Sequence, residues 1–190
     1  GEDFFGMISQ VRIGEDGLIY LLDTRLSEVP VYSRDGVRVN TLSREGDGPG
    51  ETRIPSNMLF MPDGTLGLVQ VFPGKVIKVQ LDGTPAGVFQ PTLHEATAGG
   101  FLALVNCLSA GGNLVLVGLD ITFDQATFTQ VRRNFVASFD PDGHVLTEYV
   151  SVEKTWEFRD FTLTDVNPTS ATVSPAAMER STPNRAWAAP

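Results

Sequence analysis

Two series of short turn-forming dipeptides recur along this chain at a nearly constant interval. The glycines of the first series, Gly17, Gly64 and Gly112, are 47 and 48 residues apart. In each of the first two units the glycine of the second series follows 19 residues later. Because Asp-Gly and Gly-Gly suit two-residue turns with a positive φ, each unit is predicted to contain two tight hairpins, and so four strands. The first series is Asp16-Gly17, Asp63-Gly64 and Gly111-Gly112, and the second is Asp35-Gly36, Asp82-Gly83 and Asp142-Gly143.

The strand that follows the first turn is a continuous apolar run in every unit, at residues 18–22, 66–69 and 114–117. A strand with one face in water alternates apolar and polar residues, whereas a strand covered on both faces need not. We therefore expect these strands to belong to sheets that are sandwiched between neighbours. Pro30 cannot donate a hydrogen bond to a strand ladder, so it predicts an edge-like or bulged third strand in the first unit.

Four-stranded antiparallel units of this length, stacked face to face, are the blades of a β-propeller. The predicted fold class is all-β, a β-propeller of four-stranded antiparallel blades within one domain over residues 1–190. The repeat units are residues 6–55, 56–100 and 101–150, with a partial unit over 151–190. A β-sandwich, which needs no period, and a β-solenoid, whose repeats are shorter, are the alternatives.

Three and a half blades form an incomplete ring, which would leave broad apolar faces in water at both ends of the stack. We therefore expect the chain to be part of a longer protein of roughly 300 residues, as six blades of this period would require. The alternative is a complete small domain that ends in a loose tail.

Charge and hydropathy narrow the class of partner. The chain has 23 acidic and 14 basic residues, a net charge of -9, and no basic patch, so a nucleic-acid partner is not expected. No stretch approaches the length of an apolar membrane span, so none is predicted. The single cysteine, Cys107, cannot form an intrachain disulfide.

The first unit also carries a family resemblance. Residues 16–23, then 31–36, and then 46–51 with Pro55 resemble an NHL-type repeat of bacterial six-bladed propellers, a group of NHL-like and TolB-like proteins. The resemblance covers residues 6–55 well, 56–90 less closely and 101–149 in outline. The Asn-x-Arg that follows the Asp in that repeat is replaced by residues 26–28, so a ligand contact through that Arg is not carried over. The resemblance implies an exported, periplasmic or cell-surface protein.

Two segments depart from the period. The third unit has about twelve extra residues between 119 and 132, and Thr122, Phe123, Phe128 and Thr129 are predicted to lengthen two strands into a protruding hairpin. Residues 150–183 replace a short connection with a long one. Long loops in compact domains carry function more often than average, although their sequences also drift freely.

Polar residues occupy the same strand end in three successive units: Asp23, Gln70 and Asp120. Equivalent positions in a propeller converge on one surface, where carboxylates and amides can surround an ion or a polar ligand. We therefore predict that Asp23, Arg25, Gln70 and Asp120 line a ligand-binding surface. The alternative is that each caps its loop by bonding nearby backbone N–H groups, which is the favoured interpretation for Asp23.

Other motifs favour ordinary structural roles. The glycines of residues 46–50 are followed by neither a helix nor a Lys-Ser pair, so a turn between blades is expected rather than a phosphate cradle. The zincin-like start at His94 lacks its second histidine, and His144 is expected to be a solvated turn residue. Cys107 lies in an apolar strand, where a thiol is usually buried and inert. The sequence therefore predicts no catalytic residue and no metal ligand.

We conclude from the sequence that the chain is a non-enzymatic binding or scaffold propeller. It would present the loops near residues 119–132 to a protein or a small polar ligand, without a cofactor. The alternative, implied by the resemblance, is a propeller enzyme of the lactonase or lyase type that holds Ca²⁺ or Zn²⁺ on its axis. Such a site needs several convergent ligands, of which Asp23 and Asp120 are the candidates here.

Overall fold

All described strands belong to three antiparallel sheets, and no helix occurs among the described residues. The structure is a computed structural model that describes residues 4–93, 100–124, 126–157 and 178–181. Within each sheet the strands follow one another in chain order, so each strand pairs with the one before it and the one after it. The predicted all-β class, built from consecutive hairpins, is confirmed.

The first two sheets have four strands each and the third has five. Sheet 1 consists of β1 (Ile8–Ile13), β2 (Ile19–Asp23), β3 (Val29–Tyr32) and β4 (Arg38–Leu42). Sheet 2 consists of β5 (Pro55–Phe60), β6 (Leu66–Gln70), β7 (Lys75–Val79) and β8 (Pro85–Phe89). Sheet 3 consists of β9 (Phe101–Ala110), β10 (Asn113–Asp124), β11 (Thr129–Phe139), β12 (Val145–Glu157) and β13 (Met178–Ser181).

Sheet 3 extends beyond the repeat unit that the sequence predicts. Strand β12 continues past residue 150 to Glu157, and β13 pairs with it as a fifth strand. Residues 178–181 thus extend the third sheet, although the sequence pattern assigns them to a partial fourth unit. Residues 158–177 and 182–190 of that unit lie outside the described residues, and the division of the chain into repeat units stays a prediction.

All five Asp-Gly dipeptides close hairpins, but their loops have three residues instead of the two predicted. In the first loop the Gly17 N–H donates to the Gly14 carbonyl (2.9 Å), and the Gly14 N–H donates to the Leu18 carbonyl (3.0 Å). This pattern is a four-residue turn, residues 14–17, whose last residue is a glycine in the left-handed region, at φ 76°. The Asp16 carboxylate accepts the Leu18 N–H (2.9 Å), which stabilises the longer loop. Gly111-Gly112 alone among the six dipeptides forms the predicted two-residue turn.

The middle sheet is covered on both faces, as its continuous apolar run predicts. Every residue of β6 is buried. One cluster, which includes Leu22 and Leu68, packs sheet 1 against sheet 2, and a second, which includes Val69 and Phe135, packs sheet 2 against sheet 3. A β-sandwich has only one such seam between two sheets, so this serial stacking of three sheets contradicts it.

The first strands bring consecutive sheets together: β1 lies beside β5, and β5 lies beside β9. Side-chain amides on these strands bond across each seam. The Gln10 Oε1 accepts the Met58 N–H (2.6 Å), and the Asn57 amide nitrogen donates to the Cys107 carbonyl (2.9 Å) and to the Asn106 side chain. Sheets that meet at their first strands and follow one another in series have the arrangement of propeller blades around an axis.

The outward faces of sheets 1 and 3 carry exposed apolar side chains, as expected for an incomplete ring. Gln10 and Arg12 of β1 bond to Met58 of sheet 2, so Val11 and Ile13 point the other way and are 55% and 69% exposed. In sheet 3, Leu108 is 52% exposed on the face that points away from sheet 2.

Leu68→Ala is expected to lower the free energy of unfolding by about 2–5 kcal/mol, because it opens a cavity in the seam between sheets 1 and 2. Val88→Thr, on the exposed outer strand of sheet 2, is the control and should change stability little. Urea denaturation of both variants measures the difference. Equal stability of the two variants would show that this seam does not support the fold.

Candidate functional site

The predicted ligand-binding residues lie at one end of the three sheets. Strand pairing places Asp23 opposite Ile8, Gln70 opposite Pro55 and Asp120 opposite Leu102. These partners are the first or second residues of β1, β5 and β9. We call this side, where the first strand of each sheet begins, the entry end. Asp120 lies inside a strand and not at its end, because β10 continues to Asp124.

Asp23 uses its carboxylate within the chain. Its Oδ1 accepts the backbone N–H groups of Met7 (2.9 Å), Arg25 (3.1 Å) and Leu26 (3.0 Å), and its Oδ2 accepts that of Gly6 (2.6 Å). The side chain is fully buried. Burial alone would raise the pKa of Asp23, but these backbone donors outweigh it and hold the pKa below the ordinary value. Asp23 therefore fastens the segment before β1 to the loop between β2 and β3.

Gln70 fastens the corresponding segment of sheet 2, the residues before β5. Its Oε1 accepts the Arg53 N–H (3.3 Å), and its Nε2 donates to the Phe72 carbonyl (3.1 Å). The hydroxyl oxygen of Ser27, in the loop between β2 and β3, accepts the Ile54 N–H (3.0 Å). Gln70 and Ser27 together fix the segment before β5 between two loops of the entry end.

Arg25 lies two residues after the buried Asp23, and its side chain points to solvent. Its backbone is fixed through Asp23, whereas its side chain is exposed and forms no ion pair with a described residue. It is therefore available to a ligand carboxylate without breaking an existing contact.

The predicted protruding hairpin is confirmed. Strands β10 and β11 pair without interruption out to Asp124 and Thr129. The Arg132 guanidinium lies over the Trp156 ring, 5.6 Å from its centroid, and Phe128 near the hairpin tip is 57% exposed. The described residues of the insertion thus extend sheet 3.

A charged row crosses this extension. Strand pairing aligns Asp120 of β10, Arg133 of β11 and Glu153 of β12, and with Thr122 and Val131 they line an open cleft of about 220 Å³. The Arg133 Nε donates to the Ser151 hydroxyl (2.8 Å). Arg133 also contacts Glu148, and this hydrogen-bonded ion pair raises the pKa of the guanidinium and lowers that of the carboxyl. The row offers fixed charges of both signs for a polar ligand.

Sequence reasoning missed a second feature of the entry end. Met7, Ile54 and Phe101 are spaced by 47 residues and are 57%, 73% and 41% exposed. Each precedes or starts the first strand of its sheet. Phe72, 60% exposed, packs edge-on against Phe101 with ring centroids 5.2 Å apart. We call these four residues the apolar rim.

The contacts already described hold the apolar rim in place. Asp23 bonds the Met7 N–H, Ser27 bonds the Ile54 N–H, and Gln70 bonds the Phe72 carbonyl. The period of the turns could have revealed the rim, because it relates Met7 to Ile54 and Ile54 to Phe101. An apolar residue near a strand start suggests the core, however, and only the strand bounds show that these residues lie at the exposed end.

The loop at residues 46–50 is a connection between sheets 1 and 2, as expected. Glu51 fills it: its Oε2 accepts the Gly48 N–H (2.9 Å), and its Oε1 accepts from the Arg44 guanidinium (2.6 Å). A carboxylate of the chain thus occupies the position that a bound phosphate would need.

Two further predictions concern side chains away from the entry end. Cys107 is buried in the seam between sheets 2 and 3, and burial raises the pKa of its thiol to about 12, as expected for an inert thiol. Asp140, Asp142 and His144 place one potential ligand atom each within 4.8 Å in an outer turn. Asp140 there accepts the backbone N–H groups of Asp142 and His144, so the group is a turn stabilised by its own side chain. His144 is exposed, as predicted, and His94 lies outside the described residues.

Comparisons with known proteins give a distant likeness. No family model matches the chain, and no curated protein matches it. Among solved structures, a streptogramin B lyase is 12% identical with a TM-score of 0.42, over 77% of this chain and 60% of that one. A catalytically inactive virginiamycin B lyase from Staphylococcus aureus with quinupristin is 11% identical with a TM-score of 0.41, over 73% of this chain and 54% of that one. The chain therefore spans less than two thirds of either structure.

In the part of the chain that the structure describes, no helix has the length and apolar character needed to cross a bilayer.

Asp23→Asn is expected to destabilise the protein at pH 7 by about 1.5–3 kcal/mol, since hydrogen bonds to a charged acceptor are lost. The folded-state pKa of Asp23 is lowered, so its carboxylate stabilises the fold above the unfolded-state pKa. That stabilisation is lost as the pH falls through the folded-state pKa. The gap between wild type and variant should therefore shrink on acidification below about pH 4. Thermal and urea unfolding from pH 7 downwards measure it.

Asp35→Asn, in an exposed turn, is the matched control and should leave the free energy of unfolding nearly unchanged. If the Asp23 variant were as stable as wild type at pH 7, the role of Asp23 in fastening the entry end would be wrong.

Proposed function

We propose that the protein is a non-enzymatic binding module that docks a protein segment with apolar side chains at its entry end. The observation that supports this most strongly is the apolar rim, Met7, Ile54, Phe72 and Phe101, exposed on a scaffold whose buried polar side chains hold it in place. Grouped and exposed apolar side chains on a folded protein are typical of a surface that binds another protein.

Pre-organisation is the second support. Each rim residue except Phe101 has its backbone bonded by Asp23, Ser27 or Gln70, and Phe101 packs against Phe72. Little conformational entropy remains to be lost at the backbone when a partner binds, which favours affinity. Asp23 and Gln70 act in this proposal as supports of the surface, and do not contact the partner.

Polar groups around the rim provide orientation. Arg25 is exposed next to the segment of Met7, and Asp120 belongs to the charged row in the same sheet as Phe101. Apolar contacts at the centre with charged groups at the edge are the usual composition of a protein–protein interface. We therefore propose Arg25 and Asp120 as polar contacts of the partner.

The alternative, an enzyme of the lactonase or lyase type with an axial metal ion, stays a prediction. Under it, Asp23 and Asp120 would be metal ligands. Asp23 already accepts four backbone N–H groups through its two oxygens, so it would have to give up some of those bonds to bind an ion. This cost favours the binding module.

A library of random dodecapeptides displayed on phage provides a defined probe of the entry end. Selection on the wild-type protein is expected to enrich apolar peptides. The Ile54→Ser variant should bind a selected peptide more than about tenfold more weakly, because the most exposed rim residue is lost. Fluorescence anisotropy of the labelled peptide measures both dissociation constants.

Val88→Ser is the control, since Val88 is comparably exposed, at 53%, but lies on the outer strand of sheet 2. Equal binding by the Ile54 variant, or no enrichment of apolar peptides, would overturn the proposal. Calorimetric titration with Ca²⁺ and Zn²⁺ and a lactone hydrolysis assay test the enzyme. Tight metal binding with turnover that Asp23→Ala abolishes would establish the enzyme instead.

A further inference from the structure

The outward faces of sheets 1 and 3 repeat, residue by residue, the two sides of the seams inside the protein. Val11 pairs with Leu21 across β1 and β2, just as Met58 pairs with Leu68 across β5 and β6, 47 residues later. Met58 and Leu68 are fully buried against sheet 1. Their equivalents Val11 and Leu21 occupy the free face of sheet 1, where Val11 is 55% exposed.

The free face of sheet 3 is equivalent to the face of sheet 2 that packs on sheet 3. In sheet 2, Asn57 and Val69 are paired neighbours on the face towards sheet 3, and Val69 is fully buried there. Asn106 and Val117 are paired in the same way in sheet 3, and Val117 lies on its free face, because the adjacent Leu116 is buried against sheet 2. Further along the two first strands, Leu59 is buried, whereas its equivalent Leu108 is 52% exposed.

The series of side-chain amide hydrogen bonds between the first strands ends at sheet 3. Asn57 donates its amide nitrogen across the seam to the Cys107 carbonyl. Asn106, the equivalent of Asn57 one sheet later, is exposed, and its amide nitrogen donates to no acceptor among the described residues. It therefore has a free donor at the edge where the next sheet would begin.

We propose that two copies of this chain join through these faces, with sheet 3 of each copy packed on sheet 1 of the other. The interface would reproduce the seams already present, with Val11, Ile13 and Leu21 covering Leu108, Val117 and Val136. One copy carries both halves of the interface, so two copies close a ring of sheets that leaves no apolar face in water.

Continuity with the existing seams is the reason to choose a second copy as the occupant. Each free face is the repeat equivalent of a face that is buried elsewhere in the same chain, so it presents apolar side chains at the positions that pack inside the existing seams. A large area of exposed valine and leucine on a stable fold is also costly in water. Association removes this cost at both ends of the stack simultaneously.

Sedimentation velocity of the 190-residue chain tests the proposal. Wild type is expected to sediment as a dimer. Val11→Asp on sheet 1 and Leu108→Asp on sheet 3 should each give monomers, with dissociation constants raised more than about tenfold, because a carboxylate would be buried without a partner. Both positions are exposed within one copy, so the variants should keep the fold, which circular dichroism and thermal unfolding check.

An equimolar mixture of the two variants gives the decisive result. The unchanged sheet 3 of the Val11 variant can still pack on the unchanged sheet 1 of the Leu108 variant. Mixing should therefore restore a dimer that is held by this one seam, weaker than the wild-type dimer, because both substitutions fall in the other seam. Pairing of two identical faces would instead leave one of the single variants dimeric and give no rescue. Val88→Asp, on an outer strand, is the control and should remain a dimer.

A wild-type monomer would overturn the proposal and indicate another occupant, such as a further repeat of the same kind. A series of species that lengthens with concentration would also overturn it, because head-to-tail contacts would then form without closing a ring.

Discussion

The structure depends on the mutual covering of apolar sheet faces. Leu66 and Leu68 of β6 pack towards sheet 1, and Val69 packs towards sheet 3, so neither face of this strand lies in water. Neither of its neighbours could leave without exposing one of the two clusters. The hydrogen bonds of Gln10 and Asn57 make this packing specific, because they fix the position of each first strand along the first strand of the next sheet.

The same stacking places the candidate site. Because consecutive sheets meet at their first strands, the residues that start those strands are brought to one end of the molecule. Asp23 and Gln70 then bond the backbone there, and three residues of the apolar rim, Met7, Ile54 and Phe101, follow from the repeat. At the entry end, buried polar side chains hold apolar side chains at the surface, which is the reverse of the usual arrangement of buried apolar and exposed polar side chains.

The sequence allowed the period of the turns, the double covering of strand β6 and the long hairpin at residues 119–132 to be predicted, because each depends on local pattern. The apolar runs at residues 18–22 and 114–117 predict the same double covering, but sheets 1 and 3 each have one free face. The predicted length of the loops at the Asp-Gly turns was wrong. The Asp-Gly dipeptide fits both a two-residue and a three-residue loop, and the residue that accepts the Gly17 N–H decides between them. The role of Asp23 needed the position of Gly6 and Met7, which lie 17 and 16 residues earlier in the chain. The fifth strand of sheet 3 could not be predicted, because residues 178–181 pair with β12 across a long intervening segment.

The most direct test of the stacking is a pair of electron-resonance distances between spin labels on sheets 1 and 2, with Cys107 replaced by alanine. Ser9 and Ser56 are exposed, equivalent positions on the first strands, and each bonds the neighbouring strand in the same way. Val37 and Thr84 are exposed, equivalent positions at the outer turns. Sheets that converge on a common axis predict a shorter distance for the first pair than for the second. Equal distances, as in two sheets packed flat against each other, would contradict the account.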